Sequence, residues 1–280
     1  MRSFLQNRTQ RTVIRSAQSL SQTLTHGVPQ GSVLSLLLFL VHINDLPEVV
    51  SQPTTVGIFA DDTTMSSCSP YMDTFGLCSR LCQSTLELKE WSQNNLFKLN
   101  TGKTKSMFVT GTRLRAKIDS LDQMEIRTSK GDILETTTSH KLLGVYINSD
   151  LSFNKHVEHL CKKLVIRIGI LKSTRHYLRF NERILFYNAA IKPFFLYGRA
   201  VWSMTSKINI RRVFRLQKRA ARAILGVKTK EERTVSLFKK LNWMPFYDEI
   251  SVNKLCIIFK CLQGQCPDYL CDKLVLVSDT

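Results

Sequence analysis

The chain has 280 residues, of which 43% are hydrophobic and 22% charged; that is enough for one large core or two ordinary ones, and it excludes a disordered chain. Its net charge of +18 directs attention to polyanionic partners, nucleic acid first and an anionic membrane surface second. The charge is local: residues 155–240 hold 22 Lys and Arg against 4 Asp and Glu, so the rest of the chain is neutral, whereas a merely solvated surface would mix the two signs.

Residues 1–25 are polar, with a short alternating piece at Thr12, Val13 and Ile14 that reads as a strand entering a sheet. The text GVPQGS at 27–32 makes a tight loop, and Ser32 is placed to cap a helix. That helix, VLSLLLFLVHINDL, is apolar nearly all round and is expected to be buried, ending at Pro47. Residues 55–60 form a partly β-branched strand and residues 63–65 a return strand. Asp61 and Asp62 then sit at the tip of a β-hairpin. A helix is predicted over 71–95, with Phe75, Cys78, Cys82, Leu88 and Trp91 on one stripe. A turn at 100–102 leads into a strand at 105–109. A second hairpin follows, turning near Ser129, Lys130 and Gly131, and a strand is predicted at 142–147.

From Asn154 onward the periodicity is helical. Leu160, Leu164, Ile168 and Leu171 form one stripe, and Val213, Leu216, Ala220 and Ile224 another. Arg211, Arg215, Lys218 and Arg222 line a separate face of the same second helix. The fold class is therefore α+β over residues 1–150, followed by an all-α basic module over 151–280.

Eight cysteines follow an N-terminus with no secretory apolar core, which places the chain inside the cell, nucleus or cytoplasm undetermined, with reduced thiols. Cys256, Cys261, Cys266 and Cys271 recur every five residues. Such steps advance about 140° around a helix, so neighbours share no face, and buried structural cysteines are favoured over a zinc site. The apolar run at 33–41 falls far short of the ~20 residues that span a bilayer, so no membrane partner is expected.

Two adjacent carboxylates at a hairpin tip repel unless a cation offsets them or solvent separates them. Nucleotidyl transfer supplies a reason for such a pair, since it uses two divalent ions about 3.5–4 Å apart. By itself a DD pair is also an ordinary solvated turn. The surrounding text narrows the choice. FADD follows GVPQGSVLS by about thirty residues, and NRTQRT, INDLP, LNTGKTKSM, KLLGVYINSDLSFNKHV, RILFYNAAIKP and RLQKRAARAILG occur in order along the chain. In these motifs the sequence resembles the reverse transcriptases of LINE-type (non-LTR) retrotransposons, close to the jockey group.

The resemblance implies a partial polymerase palm, an antiparallel sheet with helices, over 1–150, and a basic helical thumb with a C-terminal helical region over 151–280. It implies an RNA-directed DNA polymerase that takes an RNA template, a DNA primer and deoxynucleoside triphosphates. Asp61 and Asp62 become catalytic metal ligands for Mg2+, with Mn2+ as a substitute. Gln30, Gly31 and Ser32 become the pocket beside the templating base, and Lys103 a partner for the triphosphate. Arg211, Arg215, Lys218 and Arg222 become phosphate contacts on the template–primer duplex, giving affinity without sequence choice. Phe59 and Ala60 are packing residues, and Tyr197, Trp202 and Trp243 are read as core in preference to base-stacking.

The chain departs from the family pattern in carrying Leu36 where a proline is usual and His42 on the apolar helix, read as a core residue. The mechanism also needs a third carboxylate from an earlier motif, and the first acid here is Asp45. The expectation is a polymerase segment that lacks the upstream palm and fingers and is inactive alone. The competing readings are a non-catalytic nucleic-acid-binding remnant and a basic module docking an acidic protein.

Overall fold

In a computed structural model, residues 2–70, 73–118, 124–127, 131–228 and 232–274 are described. The chain forms two compact units, one of Met1–Lys105 and Ile118–Glu135, the other of Ser106–Lys117 and Thr136–Thr280.

In the first unit, α1 (Arg2–Leu5) precedes a fully exposed arm of two nested strand pairs. There β1 (Thr9–Gln10) pairs with β4 (Gln22–Thr23), and β2 (Val13–Ile14) with β3 (Ala17–Gln18). The piece around Val13 is thus a strand, but one closing its own short hairpin.

Helix α2 (Val33–His42) starts at Ser32 as expected, although the Ser32 side chain makes no capping hydrogen bond. The helix is not buried. Val33, Leu36, Leu37 and Val41 are all more than half exposed, and Ser35 is its one buried residue. A helix that is apolar on every side needs neighbours on every side, and here Phe39 is the residue that meets the core. Pro47 does not end the helix; it occupies the first turn of α3 (Leu46–Val49), where its missing N–H costs nothing. His42 is exposed, its ring tilted against Phe97 at 5.3 Å, so it is no core residue.

Strands β5 (Thr55–Phe59) and β6 (Asp62–Ser66) form an antiparallel hairpin. Helix α4 (Thr74–Asn94) follows, capped by Asp73, whose carboxylate accepts from Gly76 N at 3.0 Å. Tyr71, where the helix was expected to begin, lies outside the described residues. Of the expected stripe, Leu88 and Trp91 are buried, while Phe75 is 87% exposed. Ile43, Leu46, Leu88 and Trp91, with Phe39, Ile58, Met65 and Phe97 against them, make up a small core, and Trp91 stacks on Phe97 at 5.7 Å.

The strand expected at 105–109 is only β7 (Lys105–Ser106), which reaches the second unit before α5 (Thr112–Arg115) and pairs with β8 (Glu135–Thr136). An isolated bridge joins Arg127 to Ile133 in the first unit; Ser129 and Lys130 of the predicted turn lie outside the described residues. Among the described residues the strands pair two by two and do not merge into one sheet.

In the second unit, the single strand predicted at 142–147 is a hairpin of β9 (Ser139–Leu142) and β10 (Val145–Asn148). Leu143 (φ 44°) and Gly144 (φ 83°) form its two-residue turn, the left-handed pair that tight hairpins demand. Tyr197 is 58% exposed, contrary to the core expectation, and its hydroxyl donates to Leu143 O at 2.6 Å.

Helix α6 (Asn154–Thr174) buries Leu164, Ile168 and Leu171 completely. Helix α7 (Phe180–Phe186) runs through a π-helical turn (Tyr187–Ile191) into α8 (Lys192–Leu196), and α9 (Arg199–Trp202) ends on the fully buried Trp202. Helix α10 (Lys207–Leu225), capped by Ser206 and closed by the left-handed Gly226, lies against α6 and buries Val213, Ala220 and Ile224. Helices α11 (Thr234–Leu241), α12 (Phe246–Leu262) and α13 (Asp268–Cys271) complete the unit. Of the evenly spaced cysteines, Cys261 is buried, Cys266 and Cys271 are half-buried and Cys256 is exposed, so the expected burial holds for Cys261 alone; Cys266 lies beyond the end of α12, and its carbonyl accepts from the Cys271 thiol at 3.3 Å.

Gln217 joins α10 to α12 inside this core. Its amide donates to Met244 O (3.0 Å) and Glu249 Oε1 (3.1 Å) and accepts from Phe246 N (2.9 Å), while Glu249 Oε2 pairs with Arg199 at 2.6 Å. Gln217→Leu strands those partners in a dry site, at about 1–3 kcal/mol for each unsatisfied group. Chemical denaturation of this variant is expected to show a loss of at least ~2 kcal/mol, and a loss below ~0.5 kcal/mol contradicts the network.

His156 is buried beside Trp202, and its Nδ1 accepts from Tyr146 N at 3.4 Å. Burial, helped by the positive charges of His159 and Lys163, lowers its pKa from 6.5 to about 4. The neutral form is therefore the folded form, and its stability contribution, complete above about pH 6.5, is lost as pH falls toward 4. The melting temperature should fall between pH 7 and pH 4.5, and His156→Gln should flatten that fall. Parallel curves for the two proteins would remove His156 as the cause.

Candidate functional site

The FADD hairpin is anchored at its base and free at its tip. Thr54, just before β5, is buried and accepts from Ser84 Oγ of α4 at 3.0 Å. Glu87 of α4 accepts from Ser51 N (2.9 Å) and Ser51 Oγ (2.7 Å). Burial works against the charge on Glu87, but these hydrogen bonds outweigh it and hold the carboxyl below its ordinary pKa. Helix α4 thus fixes the strand that carries the motif.

The pleat then sorts the side chains. Val56, Ile58 and Met65 are half-buried, and the latter two reach the core; Gly57, Phe59 and Asp62 lie on the opposite, exposed face. The register pairs Phe59 with Asp62, so only Ala60 and Asp61 form the turn and Asp62 already belongs to β6. Ala60 takes φ +52°, a left-handed conformation that a residue with a Cβ adopts at a cost. Phe59 is 64% exposed, so it is not the core residue expected, since its strand position points it away from the core. Asp61 and Asp62 both reach solvent.

Carboxylate oxygens are the donors a hard divalent cation prefers, and in kind this pair fits Mg2+. In number it is incomplete: among the described residues no group of three or more His, Cys, Asp or Glu is arranged to hold a metal.

Gln30 and Gly31 form the turn before α2, both exposed, and Gly31 (φ +84°) needs the freedom of glycine although a Cβ there would meet open space. Ser32 is half-buried. Ser35 carries no motif signal of its own, yet its buried hydroxyl donates to Pro29 O and ties the loop to the helix. Lys103 is exposed in the turn closed by Lys103 N to Asn100 O at 3.1 Å. Among the described residues no hydrogen bond or ion pair joins Gln30, Gly31, Ser32 or Lys103 to the aspartates.

On α10 the basic face is rotated from the one expected. Arg211 and Arg215 are exposed, but Lys218 and Arg222 are half-buried. The Lys218 ammonium lies 4.9 Å from the Phe214 ring, and the Arg222 Nε is buried with no hydrogen-bond partner. The outer stripe continues instead through Arg212 and Arg219. The signal for these two was present, since each follows a candidate arginine or lysine by one residue, but the boundary of the buried face decides which basic positions stay outside. No described helix is long and apolar enough to cross a membrane.

Residues 1–147 match the family described as reverse transcriptase (RNA-dependent DNA polymerase). The chain is 24% identical over 260 residues to a probable RNA-directed DNA polymerase from transposon X-element of Drosophila melanogaster, covering 90% of this chain and 27% of that protein. It is 26% identical over 237 residues to a probable RNA-directed DNA polymerase from transposon BS, covering 80% and 25%. It is 24% identical over 235 residues to the RNA-directed DNA polymerase from mobile element jockey, covering 81% and 25%; both are from the same organism. No solved structure matches the chain. The chain belongs to the reverse transcriptase (RNA-dependent DNA polymerase) family. Within it, the relatives put the chain with the LINE-type enzymes that its motifs resemble, and it spans about a quarter of their length.

The exposed stripe carries a prediction that needs no polymerase activity. Arg215→Gln with Arg219→Gln should lower the salt concentration at which the protein leaves a heparin column, while Arg222→Gln, at a half-buried position, should move it little. An unchanged elution for the double variant would exclude the stripe as the polyanion contact.

Proposed function

We propose that this chain is the part of a LINE-type RNA-directed DNA polymerase that presents two catalytic carboxylates and grips nucleic acid with a basic helix. The observation that carries the reading is the family's aspartate pair, standing on the exposed end of a hairpin whose base is pinned to α4. Residues 1–150 serve as the palm portion and 151–280 as the thumb and C-terminal region. The substrates are deoxynucleoside triphosphates, an RNA template and a DNA primer, as the relatives' polymerase names support. The setting is intracellular.

Asp61 and Asp62 would hold divalent metal, Mg2+ or Mn2+. When bound, such ions activate the primer 3′-hydroxyl and stabilise the leaving pyrophosphate. The protein's own contribution is to hold two carboxylates at a fixed tip, clear of other side chains, where phosphate oxygens can complete the metal's shell. Gln30, Gly31 and Ser32 would line the templating base, and Lys103 would meet the triphosphate. Arg211 and Arg215, joined by Arg212 and Arg219, would follow the duplex phosphates, and the half-buried Lys218 and Arg222 would stand at the edge of that stripe.

Two carboxylates leave the site one short, so the remaining ligand is assigned to polypeptide beyond the described residues. The same shortfall favours, as second reading, a nucleic-acid-binding segment without activity of its own. Primer extension on an RNA template with Mg2+ decides between them. Extension is expected only when the chain is joined to upstream polymerase sequence, and Asp61→Asn should then lower it by at least ~100-fold. Equal extension by the Asn variant would overturn the assignment of Asp61. Extension by neither form, with salt-sensitive binding by both, would leave the binding reading.

A further inference from the structure

A groove of about 510 Å³ opens in the second unit, lined by Phe214 of α10, by Val235, Phe238 and Lys239 of α11, and by Trp243 and Pro245 after it. Its size falls within the ~300–1,000 Å³ usual for small-molecule sites. The wall is aromatic. Phe238 lies edge-on to Phe214 at 6.0 Å and to Trp243 at 6.0 Å, and Phe214 meets Tyr247 at 4.9 Å. Trp243 is half-buried, with one side stacked on Tyr187 at 4.2 Å. At the mouth, Val235 is 80% exposed.

Among the described residues that line this apolar slot, the charged one is a cation. Lys239 is part of its lining, and the Lys218 ammonium lies 4.9 Å from the ring of Phe214. The acid preceding α11, Glu232, is already paired with Lys240 at 2.7 Å. The exposed Arg211 and Arg215 lie along the same helix as Phe214. An apolar peptide would gain nothing from these cations, and a bare polyanion would gain nothing from the aromatic wall. A ligand that uses both has a flat apolar ring on an anionic backbone.

We propose that this groove takes an unpaired base of a single-stranded nucleic acid, with Lys218 and Lys239 on the flanking phosphates. The inference rests on the nucleic-acid reading above and adds to it a site for a base, where the stripe on α10 serves phosphates alone. Phe214 and Trp243, both half-buried, supply the ring contact over a floor made by the buried Phe238, and the lysines orient the strand across the mouth. Such a site tolerates any base, because every base has a face to stack.

The test uses tryptophan fluorescence and two ligands of equal charge, a single-stranded oligonucleotide and an abasic deoxyribose-phosphate oligomer of the same length. Trp202 is fully buried and Trp91 is 8% exposed, so Trp243 is the tryptophan that a ligand can quench. The oligonucleotide is expected to quench saturably and to bind at least tenfold more tightly than the abasic oligomer. Val235→Glu, at a position exposed enough not to disturb folding, should collapse that ratio toward one, since its added charge weakens both ligands alike while its side chain at the mouth denies the slot to the base alone. Equal affinity for the two oligomers without quenching overturns the base site and leaves the polyanion stripe standing. Binding of neither oligomer, nor of heparin, overturns the nucleic-acid reading on which it rests. Quenching by an uncharged aromatic peptide but not by the oligonucleotide assigns the groove to a protein partner and overturns the proposal.

Discussion

On α6, Val157, Leu164, Ile168 and Leu171 have no exposed surface, and they share one core with Val213, Ala220, Ala221 and Ile224 of α10. Each large member contributes about 1.5–3 kcal/mol by leaving water. The small residues of α10 let the two helices approach closely, and everything else in the second unit is arranged around that contact. Trp202, Phe195 and Phe246 close one end of the same core, and Leu237 and Phe238 bring α11 onto it. Because α10 commits one face wholly to this packing, its exposed basic residues Arg211, Arg212, Arg215 and Arg219 lie away from that face, with Lys218 and Arg222 at its edge. The cationic surface and the core are thus two consequences of one helical stripe.

Glycine matters at one joint of this packing. Gly198 takes φ +59°, and a Cβ there would come within 2.9 Å of a Val145 methyl carbon. The close approach lets the β9–β10 hairpin sit against the turn before α9, where the Trp202 indole donates to Tyr197 O at 2.8 Å. A buried indole N–H without a partner would be costly, and the carbonyl supplied by this turn removes the penalty.

The first unit is built on a smaller scale. Among the described residues its cluster has four buried residues with four partly buried ones around them, and the FADD motif stands on a two-stranded hairpin whose outer edges carry no further described strand. An isolated hairpin is marginal in water, so the anchoring of Thr54 and Ser51 to α4 carries much of the positioning. Asp61 and Asp62 are held by the local register of β5 and β6, whereas Gln30, Gly31 and Ser32 belong to the turn that enters α2 and Lys103 to another turn.

Local rules made much of this legible in advance. The FADD text implied a strand, a turn and a return strand, because β-branched residues on either side of a short polar turn have few other options. The heptad-like stripes of α6 and α10 implied their buried faces, and the order of motifs implied the family. Other features could not be read from one-dimensional pattern. The text at 142–147 looked like one strand because its apolar run is continuous, and only the left-handed pair Leu143–Gly144 folds it back. The run in α2 looked like core because it is apolar, but burial is a property of neighbours, and the described unit supplies them on one side alone. Likewise, Lys218 and Arg222 share the helical face of Arg211 and Arg215 by periodicity, yet Phe214 and the edge of the core draw them partly inside. The sequence by itself determined the family, the hairpin that carries the aspartate pair and the period of the helical faces, since these depend on residue identity and local pattern. Which faces are covered, which cations stay free and where an aromatic groove opens depended on residues far apart in the chain meeting in space, and that only the tertiary structure decided.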